Sequence, residues 1–134
     1  MRKELSDYIL DWFSKADEDL LTATRLFRAE DPMETANSIG FHCQQSIEKY
    51  LKAYLVSQEI SFQKIHDLEM LQLKCSSIDS SFEQFDFKNL TDYGVKYRYP
   101  DWEHLQINEQ SLRDFISIAD ELKLFVRTKI ELYS

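Results

Sequence analysis

Glycine and proline are nearly missing from this chain, with two of each in 134 residues. An all-β domain consumes such residues in its turns, so their scarcity excludes that class and points to long helices. No apolar run reaches the 18 residues a membrane span requires, so no spanning helix is expected. Met1-Arg2-Lys3-Glu4 leads directly into an amphipathic pattern, where a secretory signal would show an uninterrupted apolar stretch. Cysteine is equally sparse. Cys43 and Cys75 stand far apart with no Cys-x-x-Cys pairing, and they read as buried thiols of a cytoplasmic protein. Positive charge is in deficit: 16 Lys and Arg against 24 Asp and Glu leave a net charge of -8. That balance argues against broad electrostatic coating of DNA or RNA, though one local phosphate pocket remains compatible with it.

Aromatic bulk is what the chain does have: nine Phe, seven Tyr and two Trp. With 134 residues, the expectation is a single helical domain over 1–134 that buries a substantial core. Leu5, Ile9, Trp12, Phe13, Ala16, Leu20, Ala23 and Phe27, together with Tyr8, recur at steps of three and four. They predict a first helix from about Leu5 to Phe27. Asp31-Pro32 ends that run, and Pro32 suits the first turn of the next helix. Ala36, Ile39, Cys43, Ile47, Tyr50, Tyr54 and Leu55 predict a second helix from roughly Met33 to Ser57, with Gly40 marking a close crossing by another helix. Asp67 should cap a short helix reaching about Cys75, with Leu68, Leu71 and Leu73 as its apolar residues. The stretch from Phe82 to Tyr97 predicts one or two short helices broken near Asp86.

The last helix opens at Asn108, a good N-cap, with Ile107 placed to staple against Leu112. Its stripe is Leu112, Phe115, Ile116, Ala119, Leu122, Val126 and Ile130. Ile118, Leu124 and Phe125 fall off that stripe. Either this helix meets a second copy of the chain, or it is the most buried helix of the fold. The fold class that follows is all-α, an up-and-down bundle of four to five helices.

Chemistry-bearing residues concentrate in Tyr97-Arg98-Tyr99-Pro100-Asp101-Trp102-Glu103-His104, where helical periodicity breaks. Arg is shaped to grip a phosphate with two parallel hydrogen bonds, and His moves protons near neutral pH. His104 could take the proton of a ribose 2′-hydroxyl while Arg98 holds the phosphate, a reaction that needs no metal. The plainer reading pairs Arg98 with Asp101 or Glu103 and leaves His104 as a solvated loop residue. A polar row of His42, Gln45, Lys49 and Lys52 on the second helix offers donors that could line a groove facing the Arg98 loop. Its simpler reading is a solvated face with Glu48 and Lys52 paired at i, i+4. His66-Asp67 sits at a helix start, where capping explains it better than catalysis. Asp101-x-x-His104 alone approaches a di-iron spacing, and Pro100 puts it outside a regular helix. There is no Gly-rich phosphate loop and no Gly-x-Ser-x-Gly elbow, so neither metal nor cofactor is expected.

Four pieces in order resemble the HEPN family, the higher eukaryote and prokaryote nucleotide-binding domain. They are the stretch from Trp12 to Leu20, the stretch from Phe41 to Ala53 with its Gln, Glu-Lys and Lys signature, His66-Asp67-Leu68, and Arg98-Tyr99-Pro100-Asp101. The resemblance runs from about Trp12 to Thr128. It implies a dimeric bundle of four or five helices, in many members paired with a minimal nucleotidyltransferase in a toxin–antitoxin-like module. Some members are metal-independent endoribonucleases carrying Arg, four to six residues, then His, a spacing that Arg98 and His104 satisfy. Here Tyr99 stands where nuclease members have a small polar residue, and the Arg-Tyr-Pro version is typical of members suggested to bind nucleotides. The leading expectation is therefore a domain that binds a nucleotide or phosphate-bearing ligand. Arg98 would hold the phosphate, Tyr97, Tyr99 or Trp102 would stack on the base, and Lys49, Lys52, Gln45 and His42 would contribute if their face turns toward the loop. The alternatives are a ribonuclease toxin using Arg98 and His104 at a homodimer interface, and a dimeric interaction module without a ligand.

Overall fold

The structure is a computed structural model that describes residues 3–93 and 107–131. Every regular element among them is helical: α1 (Lys3–Phe27), α2 (Ala36–Ser57), α3 (Leu68–Ser76), α4 (Leu90–Tyr93) and α5 (Glu109–Glu131). Two 3-10 turns, Pro32–Thr35 and Ser80–Gln84, join α1 to α2 and α3 to α4. Asp31 accepts a hydrogen bond from the Met33 amide, and Pro32 follows it in the first turn. The α-helix proper starts at Ala36, later than the apolar pattern implies, because the tighter turn at Pro32–Thr35 comes first.

Contacts along the long helices fix their directions. Asp17 meets Lys123, and the Phe27 ring lies 5.4 Å from the Arg113 guanidinium carbon, so α1 and α5 are antiparallel. Asp17 meets Tyr50 and Asp19 meets Lys49 and His42, so α1 and α2 are antiparallel too. α2 lies at the centre, packing on α1, α3, α4 and α5. Fifteen of its 22 residues are buried, against five of 23 in α5, so α2 and not α5 is the most buried helix. The second apolar flank of α5 is partly covered from within the chain. Phe125 packs edge-on against Phe82 and Phe85, at centroid separations of 4.9 and 5.2 Å, while Leu124 stays 61% exposed.

The short elements follow their caps. Asp67 accepts from the Met70 amide at 3.1 Å and starts α3, and Asn108 accepts from the Ser111 amide at 2.9 Å and starts α5. On α3 the buried positions are Leu68, Leu71 and Cys75, whereas Leu73 is 71% exposed. At 100° per residue Leu73 points opposite to the other three. Thr91 accepts from the Leu68 amide at 3.1 Å, tying α4 to the start of α3. Gly40 is where α4 crosses α2: a Cβ there would fall 2.3 Å from the Tyr93 ring. Tyr93 is fully buried, so the ring has nowhere to retreat.

Two predictions follow from this packing. Gly40→Ala should destabilise the fold by about 1–3 kcal/mol through overpacking, read by urea unfolding. The second concerns Asp79, which receives Lys129 at 2.7 Å and the Ser81 hydroxyl and amide, contacts that hold its pKa down at about 2. The unfolded value is about 3.9. This contribution to stability is therefore complete above that pH and is lost as pH falls toward 2. Lys129→Ala should move the Asp79 titration, followed by carboxyl NMR, back toward the ordinary carboxylate range.

Candidate functional site

The polar residues of α2 are organised around two carboxylates. Asp19, on α1, accepts from Lys49 Nζ at 2.5 Å and lies 2.9 Å from His42 Nδ1. Glu48, on α2 itself, receives Lys52 Nζ at 3.1 Å and His66 Nδ1 at 3.3 Å on one oxygen, and Gln44 Nε2 at 3.1 Å on the other. Each carboxylate therefore bridges one lysine and one histidine. A carboxylate only accepts, so each imidazole presents its Nδ1–H to the carboxylate.

The two clusters differ in burial. Glu48 and Lys52 are each 5% exposed, so their i, i+4 pair is a buried one and not the solvated pair the spacing suggests. Lys52 Nζ lies 5.7 Å from the Trp12 ring centroid and 5.3 Å from that of Phe62, which cover the ammonium with π faces. Gln45 Nε2 donates to Gln44 Oε1 at 2.6 Å, extending the network toward the surface. His42 and Lys49 are partly exposed beside α1. Among the described residues the row His42, Gln45, Lys49 and Lys52 is thus engaged with carboxylates and an amide of the fold. Its two lysines are matched by Asp19 and Glu48.

A third polar contact joins the three long helices. The buried Tyr50 hydroxyl donates to Asp17, which also meets Lys123 at 3.2 Å. Burial first, and then this bond to Asp17, push the Tyr50 phenol well above its usual range. Burial also raises both thiols, Cys75 to about 12 and Cys43 further, so neither is a nucleophile at neutral pH. Their place in the core agrees with their reading from the sequence.

Tyr97, Arg98, Tyr99, Trp102 and His104 lie outside the described residues. The described residues on either side of that stretch are both anchored. Tyr93 is buried against Gly40 and Phe115, and Ile107 packs on the core next to the Asn108 cap. Sequence reasoning did not find the link between His66 and Glu48. They are 18 residues apart, and no spacing rule connects a helix interior to the residue before another helix's N-cap. Among the described residues no group of three or more His, Cys, Asp or Glu is placed to hold a metal ion, and no helix is long and apolar enough to cross a membrane.

The HEPN domain family model matches residues 9–129. The chain belongs to the HEPN family. No curated protein and no solved structure matches it. The HEPN match takes in both carboxylate clusters, α4, the Arg98 stretch and nearly all of α5. HEPN membership supports a nucleotide- or RNA-related function, and HEPN domains commonly dimerise.

The buried pair gives a stability prediction. Glu48→Ala should cost about 3–5 kcal/mol, because it strands the Lys52 ammonium in the interior. Replacing both, as Glu48→Leu with Lys52→Met, should cost less than the sum of the single changes. Urea unfolding of the two single variants and the double variant measures that coupling.

Proposed function

We propose that this HEPN domain binds a nucleotide or another phosphate-bearing ligand at the stretch carrying Arg98, and that it works in a two-protein module with a minimal nucleotidyltransferase. The observation that carries this reading is the family match, which includes that stretch whole. Charge matching on α2 supports it. Lys49 and Lys52 already answer Asp19 and Glu48, so a ligand phosphate would have to displace a carboxylate to recruit either. Arg98 is the guanidinium that takes the phosphate, in the bidentate geometry suited to it. Tyr97, Tyr99 and Trp102 supply stacking faces for a base. His42, Gln45, Lys49 and Lys52 take part on this reading through the network around Asp19 and Glu48, and not as direct contacts to the phosphate. A homodimer is the expected assembly.

Calorimetric titration with nucleoside mono-, di- and triphosphates at up to millimolar concentration tests the reading. Wild type should bind at least one of them, and Arg98→Ala should weaken that binding by roughly tenfold or more, the loss of a charge-assisted contact. Absence of binding by every nucleotide would overturn it. RNA cleavage in chelator that is lost in both Arg98→Ala and His104→Ala would replace it with the ribonuclease reading.

A further inference from the structure

A groove opens between α1 and α5 beyond the ion pair that joins them. On one side of it the helices are held together, by Asp17 on Lys123 at 3.2 Å and by the Phe27 ring against Arg113. In the other direction α1 runs back to Leu10 and Ile9, and α5 runs on to Ile130 and Glu131. Between them lies a cavity of about 450 Å³. Ile9, Leu10, Phe13 and Ile130 give it an apolar wall. Ile9 is buried, Phe13 is backed by the Tyr50 ring at 5.4 Å, and Leu10 stays 64% exposed. The volume suits a small molecule, whose sites combine apolar walls with a few convergent polar groups.

The polar groups of this wall carry both signs. Asp17 uses Oδ1 for both the Tyr50 hydroxyl and Lys123 Nζ, and its side chain is 39% exposed. Two donors on one oxygen fix the carboxylate and leave Oδ2 as an acceptor. Arg127, which is exposed, follows Lys123 by four residues, one turn or about 6 Å along α5. Among the described residues neither Asp17 Oδ2 nor the Arg127 guanidinium has a hydrogen-bond partner. Glu131 and the Ser14 hydroxyl complete the lining. A ligand that is only an anion faces Asp17 and Glu131, and one that is only a cation leaves Arg127 unanswered. A zwitterion answers both. Ammonium and carboxylate on one carbon, each with a hydrogen bond of about 2.8 Å, bridge a step of one helical turn.

We propose that the groove between α1 and α5 binds a free α-amino acid with an apolar side chain. Asp17 Oδ2 accepts from its ammonium, Arg127 grips its carboxylate, and Ile9, Leu10, Phe13 and Ile130 enclose its side chain. Tyr50 and Lys123 are positioning residues, acting through Asp17. The bound molecule joins α1 to α5 beyond their ion pair, so it stabilises the bundle by mass action. This site stands on α1 and α5 alone, and it holds or fails separately from the nucleotide-binding reading above.

Calorimetric titration and thermal melting of the full chain test it, with L-phenylalanine at up to about 10 mM as the probe. Wild type should bind it and melt at a higher temperature in its presence. N-acetyl-L-phenylalanine lacks the ammonium, L-phenylalaninamide lacks the carboxylate and glycine lacks the apolar body. Each should bind about tenfold more weakly or not at all. Arg127→Gln and Ser14→Trp change exposed positions, so both variants should fold with the unliganded stability of wild type. Arg127→Gln should weaken L-phenylalanine about tenfold, the loss of a charge-assisted contact. Ser14→Trp should abolish binding by filling the groove. Absence of both heat and melting shift with L-phenylalanine would overturn the inference. Equal affinity for L-phenylalanine and its N-acetyl derivative, or for wild type and Arg127→Gln, would overturn it too. A dimer in sedimentation that Ser14→Trp dissociates would give the groove to a second copy of the chain instead.

Discussion

A carboxylate taken out of water in the middle of α2 sets the terms for the surrounding structure. An ionised group in the interior is tolerated only when its lone pairs are answered. Glu48 is answered three times, by Lys52, Gln44 and His66. Each of those partners imposes a further condition. Lys52 must be covered, which draws in Trp12 from α1 and Phe62 from the connection after α2. His66 must reach Glu48, so the chain between α2 and α3 has to double back along α2. One polar group thereby ties α1, α2, the following connection and the start of α3 into a single geometry.

The other flank of α2 repeats the principle with less burial. Asp19 gathers His42 and Lys49, and Asp17 gathers Tyr50 and Lys123. These contacts cross from one helix to another. They specify how the helices register, a job that apolar surface does poorly because it is non-directional. A chain with a marked excess of acid thus spends part of it inside the bundle, each carboxylate matched by a lysine. The consequence is that α2 is a scaffold whose Lys49 and Lys52 are already compensated by Asp19 and Glu48.

Much of the fold was legible because it depends on neighbours in sequence. The stripe Ala36, Ile39, Cys43, Ile47, Tyr50, Tyr54 and Leu55 is buried as its spacing implies, and Asp67 and Asn108 cap the helices they precede. Gly40 marked a close crossing, and Tyr93 of α4 makes it. Leu73 was misread because hydrophobicity was counted without its angle on a nine-residue helix. Lys52 was misread because a lysine beside a glutamate at i, i+4 looks the same whether the pair is solvated or enclosed. The candidate residues from Tyr97 to His104 were read from side-chain chemistry alone, and the family match places the whole stretch within the HEPN domain.

By itself the sequence determined the helices, their caps and the family. All three are written in patterns a few residues long or in motifs that recur in order. Tertiary structure alone decided which polar groups of α2 lie inside and what they face. His66 and Glu48 meet across 18 residues of chain, and Asp19 and Lys49 across 30. Such meetings depend on how helices pack and on the path of the connection between them. A hydrogen bond between distant residues leaves no periodicity behind, so the exposed imidazole on its buried carboxylate becomes visible only once the chain has folded around it.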